Sequence, residues 1–163
     1  MKIENIIRRV LREEQEEEKL LKIPSLKFFN NDWSILQKFL ESQGNSRYSI
    51  GGNLDLRRTD IETLGNLVRV GGFLDLGFSD IKSLGNLERV GGSLNLASCK
   101  NLQSLGDLKY VDGWLDLGGT RIETLGNLEY VGGWLDLGRT PLSKKYTEEE
   151  IRDMIGFVGK VYL

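Results

Sequence analysis

Apolar positions recur along this chain in two rhythms. Leu-x-Leu pairs stand at Leu54/Leu56, Leu74/Leu76, Leu94/Leu96, Leu115/Leu117 and Leu135/Leu137. A spacing of two places both leucines on one face of a strand. The positions that follow, Ile61, Leu64, Leu67 and Val70 with their later equivalents, are spaced by threes and predict a tight return path, helical or 3₁₀. A glycine two residues ahead of each pair (Gly52, Gly72, Gly92, Gly113, Gly133) fixes a period of twenty, and the third unit carries one extra residue. A unit this short cannot bury its own leucines, so neighbours must stack on a shared core. The predicted fold is an α+β repeat, a solenoid with one parallel β-sheet and short return segments over residues 50–143. The paired glycines mark a place that needs either positive φ or close approach between coils.

The flanks carry helical spacing. Ile3, Ile6, Ile7, Val10 and Leu11 predict an amphipathic segment within residues 1–23, basic at Lys2, Arg8, Arg9 and Arg12 and acidic from Glu13 to Glu18. The acidic run reads as a solvated helix face. After Pro24, Asp32 is the expected N-cap of a helix bearing Trp33, Leu36, Phe39 and Leu40, with Gly44 beyond its end. Residues 24–49 are therefore a helical N-terminal cap. In residues 144–163, Thr147 and Glu150 form a capping box ahead of Ile151, Met154 and Ile155, predicting a helical C-terminal cap.

The repeated units resemble the leucine-rich-repeat family, whose motif is Leu-x-x-Leu-x-Leu-x-x-Asn-x-Leu. Leu54, Leu56, Thr59 and Ile61 fall on it, as do Leu74, Leu76, Ser79 and Ile81. The family's Asn position holds Thr59, Ser79, Cys99, Thr120 and Thr140, so hydroxyls must serve the turn. The Val-x-Gly-x-Leu-x-Leu wording is also similar to the L domains of growth-factor receptors, which bear disulfides where this chain has one cysteine. The resemblance implies a protein-interaction module. The opening MKIENIIRRVLREE resembles N-terminal segments of tailed-bacteriophage proteins, which implies a structural or virion-associated component anchored by its first helix.

Composition narrows the chemistry. The chain of 163 residues has a formal net charge of -2, which gives no global pull toward nucleic acid or an anionic membrane, and neither is an expected partner. The single cysteine, with no secretory signal pattern, favours a reducing compartment: cytoplasmic, or the host cytoplasm or virion if viral. Absence of histidine removes the commonest general base and metal ligand. Cys99, at an inward repeat position, reads as structural. No P-loop is written anywhere. No enzyme activity, cofactor or metal is expected.

The strongest functional signal is on strand residues that face outward when the leucines face in. One column reads Asn53, Phe73, Ser93, Trp114, Trp134; the next reads Asp55, Asp75, Asn95, Asp116, Asp136. Arg57, Arg58, Phe78 and Arg139 lie in the following turns. Phe73, Asp75, Phe78, Trp114, Asp116, Trp134, Asp136 and Arg139 are the candidate partner-binding residues, since exposed aromatics beside charges are the composition of binding hot spots. Two readings stand side by side: a contact surface, or rings that shield one another or lie beneath the N-terminal helix. Stacked carboxylates repel, so arginines, hydrogen bonds or a cation such as calcium must relieve them. The expected partner is a protein; a glycan held by Trp114 and Trp134 with Asp116 and Asp136 is the alternative.

Overall fold

The computed structural model describes residues 2–163, without the side chains of Lys2, Asn5, Glu13 and Glu16 to Glu18. Most of the acidic run read as a solvated face therefore lies outside the described side chains. Helix α1 (Lys2–Glu18) precedes strand β1 (Leu21–Ile23), a 3₁₀ turn at Leu26–Phe29, α2 (Trp33–Ser42) and β2 (Tyr48–Ile50). The repeats supply β3 (Leu54–Asp55), β4 (Leu67–Val70), β5 (Leu74–Asp75), β6 (Arg89–Val90), β7 (Leu94–Asn95), β8 (Tyr110–Val111), β9 (Leu115–Asp116) and β10 (Tyr130–Asp136). Helices α3 (Pro141–Lys145) and α4 (Glu148–Met154) and strand β11 (Phe157–Tyr162) follow.

All described strands pair in parallel within one open sheet, ordered β1-β2-β4-β6-β8-β10-β9-β7-β5-β3 with β11 beside β10. The Leu-x-Leu pairs align coil on coil: Leu54, Leu74, Leu94, Leu115 and Leu135 are register partners in turn. A second ladder joins Val70, Val90, Val111 and Val131, residues that spacing alone had placed on the return path. In β10 both ladders belong to one seven-residue strand. Gly92 N–H to Gly72 O (3.0 Å) and Gly113 N–H to Gly92 O (2.9 Å) carry the ladder across the same bend in earlier coils. The residues between the two ladders are irregular backbone with tight turns rather than helix.

The two glycine roles separate by position. A Cβ at Gly91 would overlap the Gly71 carbonyl oxygen, so the pair ahead of each strand answers to close approach between coils. Positive φ falls instead on the Leu-Gly-Asn turns, as at Gly85 (φ 60), and on the turn after each strand. Since the nearest atoms that this Cβ would meet are all Gly71 backbone, which no side-chain rotation can clear, Gly91→Ala is expected to destabilise by about 1–3 kcal/mol, the range for overpacking. A urea midpoint equal to that of the unaltered chain would show that the coils separate freely.

Leucines from every coil fill one continuous core; Leu74, Leu94, Leu96, Leu115 and Leu135 are fully buried. The hydroxyls at the turn position bond locally: Thr59, Thr120 and Thr140 donate to the carbonyls of Leu56, Leu117 and Leu137 at 2.6, 2.7 and 2.6 Å. Cys99 lies in the same column, donates to the Leu76 carbonyl at 3.0 Å, and has its thiol pKa pushed up by burial. This setting suits packing and opposes thiolate formation.

The ends differ from purely helical caps. Asp32 caps α2 as expected, accepting from Ser34 and Ile35 N–H, and Leu36 and Leu40 are buried. The helical reading of residues 1–23, however, stops at Glu18, because β1 extends the sheet by pairing Leu21–Ile23 with Tyr48–Ile50. The capping box of Thr147 and Glu150 is present at α4. Ile151 and Ile155 are buried whereas Met154 is exposed. Beyond α4, β11 adds a further strand: Val158 and Val161 take the inward places opposite Val131 and Leu135. One glycine fewer than in Val-Gly-Gly-x-Leu shifts the register there, which hid the coil from a strict repeat alignment.

Candidate interaction face

The outward columns stand as the alternation requires. Register places Phe73, Ser93, Trp114 and Trp134 on successive coils, with Lys160 after them. Trp114 and Trp134 stack with ring centroids 4.8 Å apart and planes 1° apart. Tyr162 meets Trp134 edge-on at 6.2 Å, and Lys160 Nζ lies 4.6 Å from the Tyr162 ring. The tryptophans shield one face of each other, and both remain half-buried. Helix α1 covers none of this with its apolar residues, because Ile3, Ile6, Ile7, Val10 and Leu11 are themselves exposed.

The aspartate column has a local cause. Each side chain folds back to accept from the N–H two residues on, ending the strand in a tight turn. Asp75, Asn95, Asp116 and Asp136 do so at 2.9, 2.9, 2.8 and 2.7 Å. Asp55 is held by Arg57 through Nη2 at 2.8 Å, and the same arginine reaches Asp75 at 4.0 Å. Hydrogen bonds and one arginine thus relieve the first two coils. Among the described residues no group of acids, cysteine or histidine is arranged to hold a metal ion.

Asp116 has less relief. Burial, and secondly the charge of Asp136, raise its pKa above the ordinary 3.8, against the lowering effect of the Gly118 N–H. A raised native pKa means that the folded chain takes up the proton first, so stability rises as pH falls through the range between the two values. Asp116→Asn keeps the turn, as Asn95 does, and removes the unfavourable charge. The variant is expected to melt higher than the unaltered chain at pH 7, with the gap closing below the ordinary aspartate range. A lower melting temperature at pH 7 would show that the carboxylate has a stabilising partner.

Phe78 and Arg139 sit in the turn after the strand with φ of 60 and 61, in the left-handed region where Gly119 occupies the equivalent place. Holding a large side chain there costs about 1–2 kcal/mol. Arg58, equally left-handed at φ 57, lies 5.9 Å from the Phe78 ring, and both border an open depression with Asp55, Arg57, Asp75 and Asn95. The sequence-derived residues therefore form two groups. Phe73, Asp75 and Phe78 gather on the second coil; Trp114, Asp116, Trp134, Asp136 and Arg139 gather on the fourth and fifth. Ser93 and Asn95 separate them.

A neighbouring outward column accompanies these, one that the leucine spacing does not mark. Register aligns Arg69, Arg89, Tyr110, Tyr130 and Phe157, the residue before each inward valine. Tyr130 stacks on Phe157 at 5.2 Å, and Arg89 lies 5.6 Å from the Tyr110 ring while pairing with Asp112 at 2.6 Å. The signal was present as Arg-Val, Arg-Val, Tyr-Val, Tyr-Val, Phe-Val, and it became legible only with those valines on a strand. With Tyr162, the aromatic surface gathers toward the C-terminal coils.

Comparison with family models, with curated proteins and with solved structures found no match. Among the described residues no helix is long and apolar enough to cross a membrane.

Proposed function

We propose that this chain is a non-enzymatic protein-interaction module of leucine-rich-repeat type, binding a macromolecular partner through the outward face of its strands. The observation that carries the reading is the run of partly exposed rings on one rigid sheet, Trp114 stacked on Trp134 with Tyr162 against it. Rigid aromatic surface presented without loss of side-chain freedom is what interface hot spots supply. Against it stand charged groups, Asp116, Asp136 and Arg139, suited to fixing orientation.

A second reading has its own support. The five apolar residues of α1 are 42 to 73% exposed, an unpartnered amphipathic stripe of the kind that docks into a groove. On this reading α1 anchors the chain in an assembly, such as a virus particle, and the repeats are displayed. Cross-linked partner recovery with two altered chains tests both: one lacking residues 1–18, the other carrying Trp114→Ala and Trp134→Ala. The deletion stops short of Leu21 because Leu21 belongs to the sheet. Loss of partner only in the tryptophan variant supports the face; loss only in the truncated chain supports anchoring.

A further inference from the structure

The aromatic column has a gap of definite size. Trp114 and Trp134 occupy adjacent coils and stack at 4.8 Å, so one ladder step is one stacking distance here. Trp134 covers one face of Trp114; on the other side of Trp114 the next places in the ladder are Ser93 and, one step further, Phe73. Phe73 and Trp114 are thus two steps apart, about 9.6 Å at the strand spacing, with only the short Ser93 side chain between them. Stacked rings take centroid separations from about 4.5 Å. The space over Ser93 therefore has room for one planar group sandwiched between Phe73 and Trp114. Phe73 is 42% exposed, so its side chain is within reach of an incoming group.

The next column decides the charge of that group. Two residues along the same strands, and so on the same face, Asp75 and Asp116 flank Asn95 just as Phe73 and Trp114 flank Ser93. Asp116 uses Oδ1 on the Gly118 N–H, which leaves Oδ2 for an outside donor. Burial and Asp136 already disfavour its charge, so an arriving cation relieves it. Arg57 already reaches Asp75, so Asp116 sets the charge of the slot, and a phosphate-bearing base would be repelled by it. A lysine ammonium is a point charge without a plane. Guanidinium is planar, cationic, stacks on aromatic faces and forks onto carboxylates.

We infer that the slot between Phe73 and Trp114, floored by Ser93 and flanked by Asp75 and Asp116, receives an arginine side chain of a partner polypeptide. The inference rests on the strand-face reading above and names what that face recognises. The rings of Trp134 and Tyr162 continue the surface on one side of the slot, where residues flanking the arginine lie.

The test is a titration of the full chain with acetyl-Gly-Arg-Gly-amide, followed by tryptophan emission, alongside the lysine and citrulline counterparts, adenosine monophosphate and methyl β-glucoside. The arginine peptide should saturate at least five-fold below every other probe. Ser93→Phe fills the slot and should remove that response, whereas Ser93→Ala leaves it open and should keep it; circular dichroism identifies any variant that fails to fold. Phe73→Ala and Asp116→Asn should each weaken binding at least three-fold. Equal responses to arginine and citrulline, a stronger response to the nucleotide or the sugar, or no response to any probe would overturn the proposal, as would retained binding in folded Ser93→Phe. Selection from a random peptide library separates this failure from that of the wider reading. Selected peptides without arginine that lose binding to the Trp114→Ala, Trp134→Ala chain would leave the face standing and remove the arginine slot. Peptides recovered equally on both chains would remove both.

Discussion

Leu96→Ala is expected to lower the unfolding free energy by about 2–5 kcal/mol, the range for a buried leucine truncated in a packed core. Leu96 is fully buried in the middle coil and has further coils stacked on either side. Its neighbours are held by ladder hydrogen bonds in both directions; Leu96 N–H bonds the Asp116 carbonyl at 2.8 Å and Leu76 N–H the Asn95 carbonyl at 2.9 Å. The walls of the cavity therefore cannot close by moving one chain segment alone. The loss amounts to roughly 4–20 °C in melting temperature at 2–4 °C per kcal/mol for a domain of this size. A solenoid carries stability as unit terms plus neighbour interfaces, so a defect at the centre weakens both halves. Thermal melts by circular dichroism measure the effect, and a shift under 2 °C would show that the middle coil is not packed as described.

The tryptophan pair should behave in the opposite way. Trp114→Ala with Trp134→Ala removes the two stacked rings but no core residue, because Leu115, Leu135 and the inward valines stay in place. The stack itself is worth about 0.5–1.5 kcal/mol beyond area burial, so a modest fall in melting temperature is expected with folding retained. Partner recovery should drop by at least ten-fold, as loss of two aromatic anchors from one interface implies. The chain lacking residues 1–18 should keep both its fold and its partner on the strand-face reading, since β1 and α2 survive the cut. Unfolding of the double variant would mean that the rings belong to the core. Undiminished recovery by a folded double variant would move the contact elsewhere, and the exposed stripe of α1 is then the surface to alter, beginning with Ile6→Asp and Ile7→Asp.

The repeat itself settled a good deal. A period of twenty with Leu-x-Leu in register required stacking, because a unit of that length leaves its leucines wet unless a neighbour covers them. From this followed the parallel ladder, the inward Cys99, and the outward placement of Phe73, Trp114, Trp134 and the aspartates, all by alternation along a strand. The caps of α2 and α4 were legible at Asp32 and Thr147 because capping is a local exchange between one side chain and nearby N–H groups.

What the sequence left open were matters settled between coils. Spacing by threes assigned Val70 and its equivalents to a tight return path, helical or 3₁₀, and only the hydrogen bonds of adjacent coils draw them into the sheet. That change turned Tyr110, Tyr130 and Phe157 outward. The single-glycine step in Val-Gly-Lys-Val hid β11, since a bulge costs nothing in composition and is visible only in pairing. The aspartates drew attention as charges, yet their first task is to turn the chain through an N–H two residues on. The meaning of Ser93 is the clearest case. In sequence it is one small polar residue in a column of rings; beside a Trp114–Trp134 stack one ladder step wide, its small size becomes a slot, because spacing across strands exists only once the strands are paired.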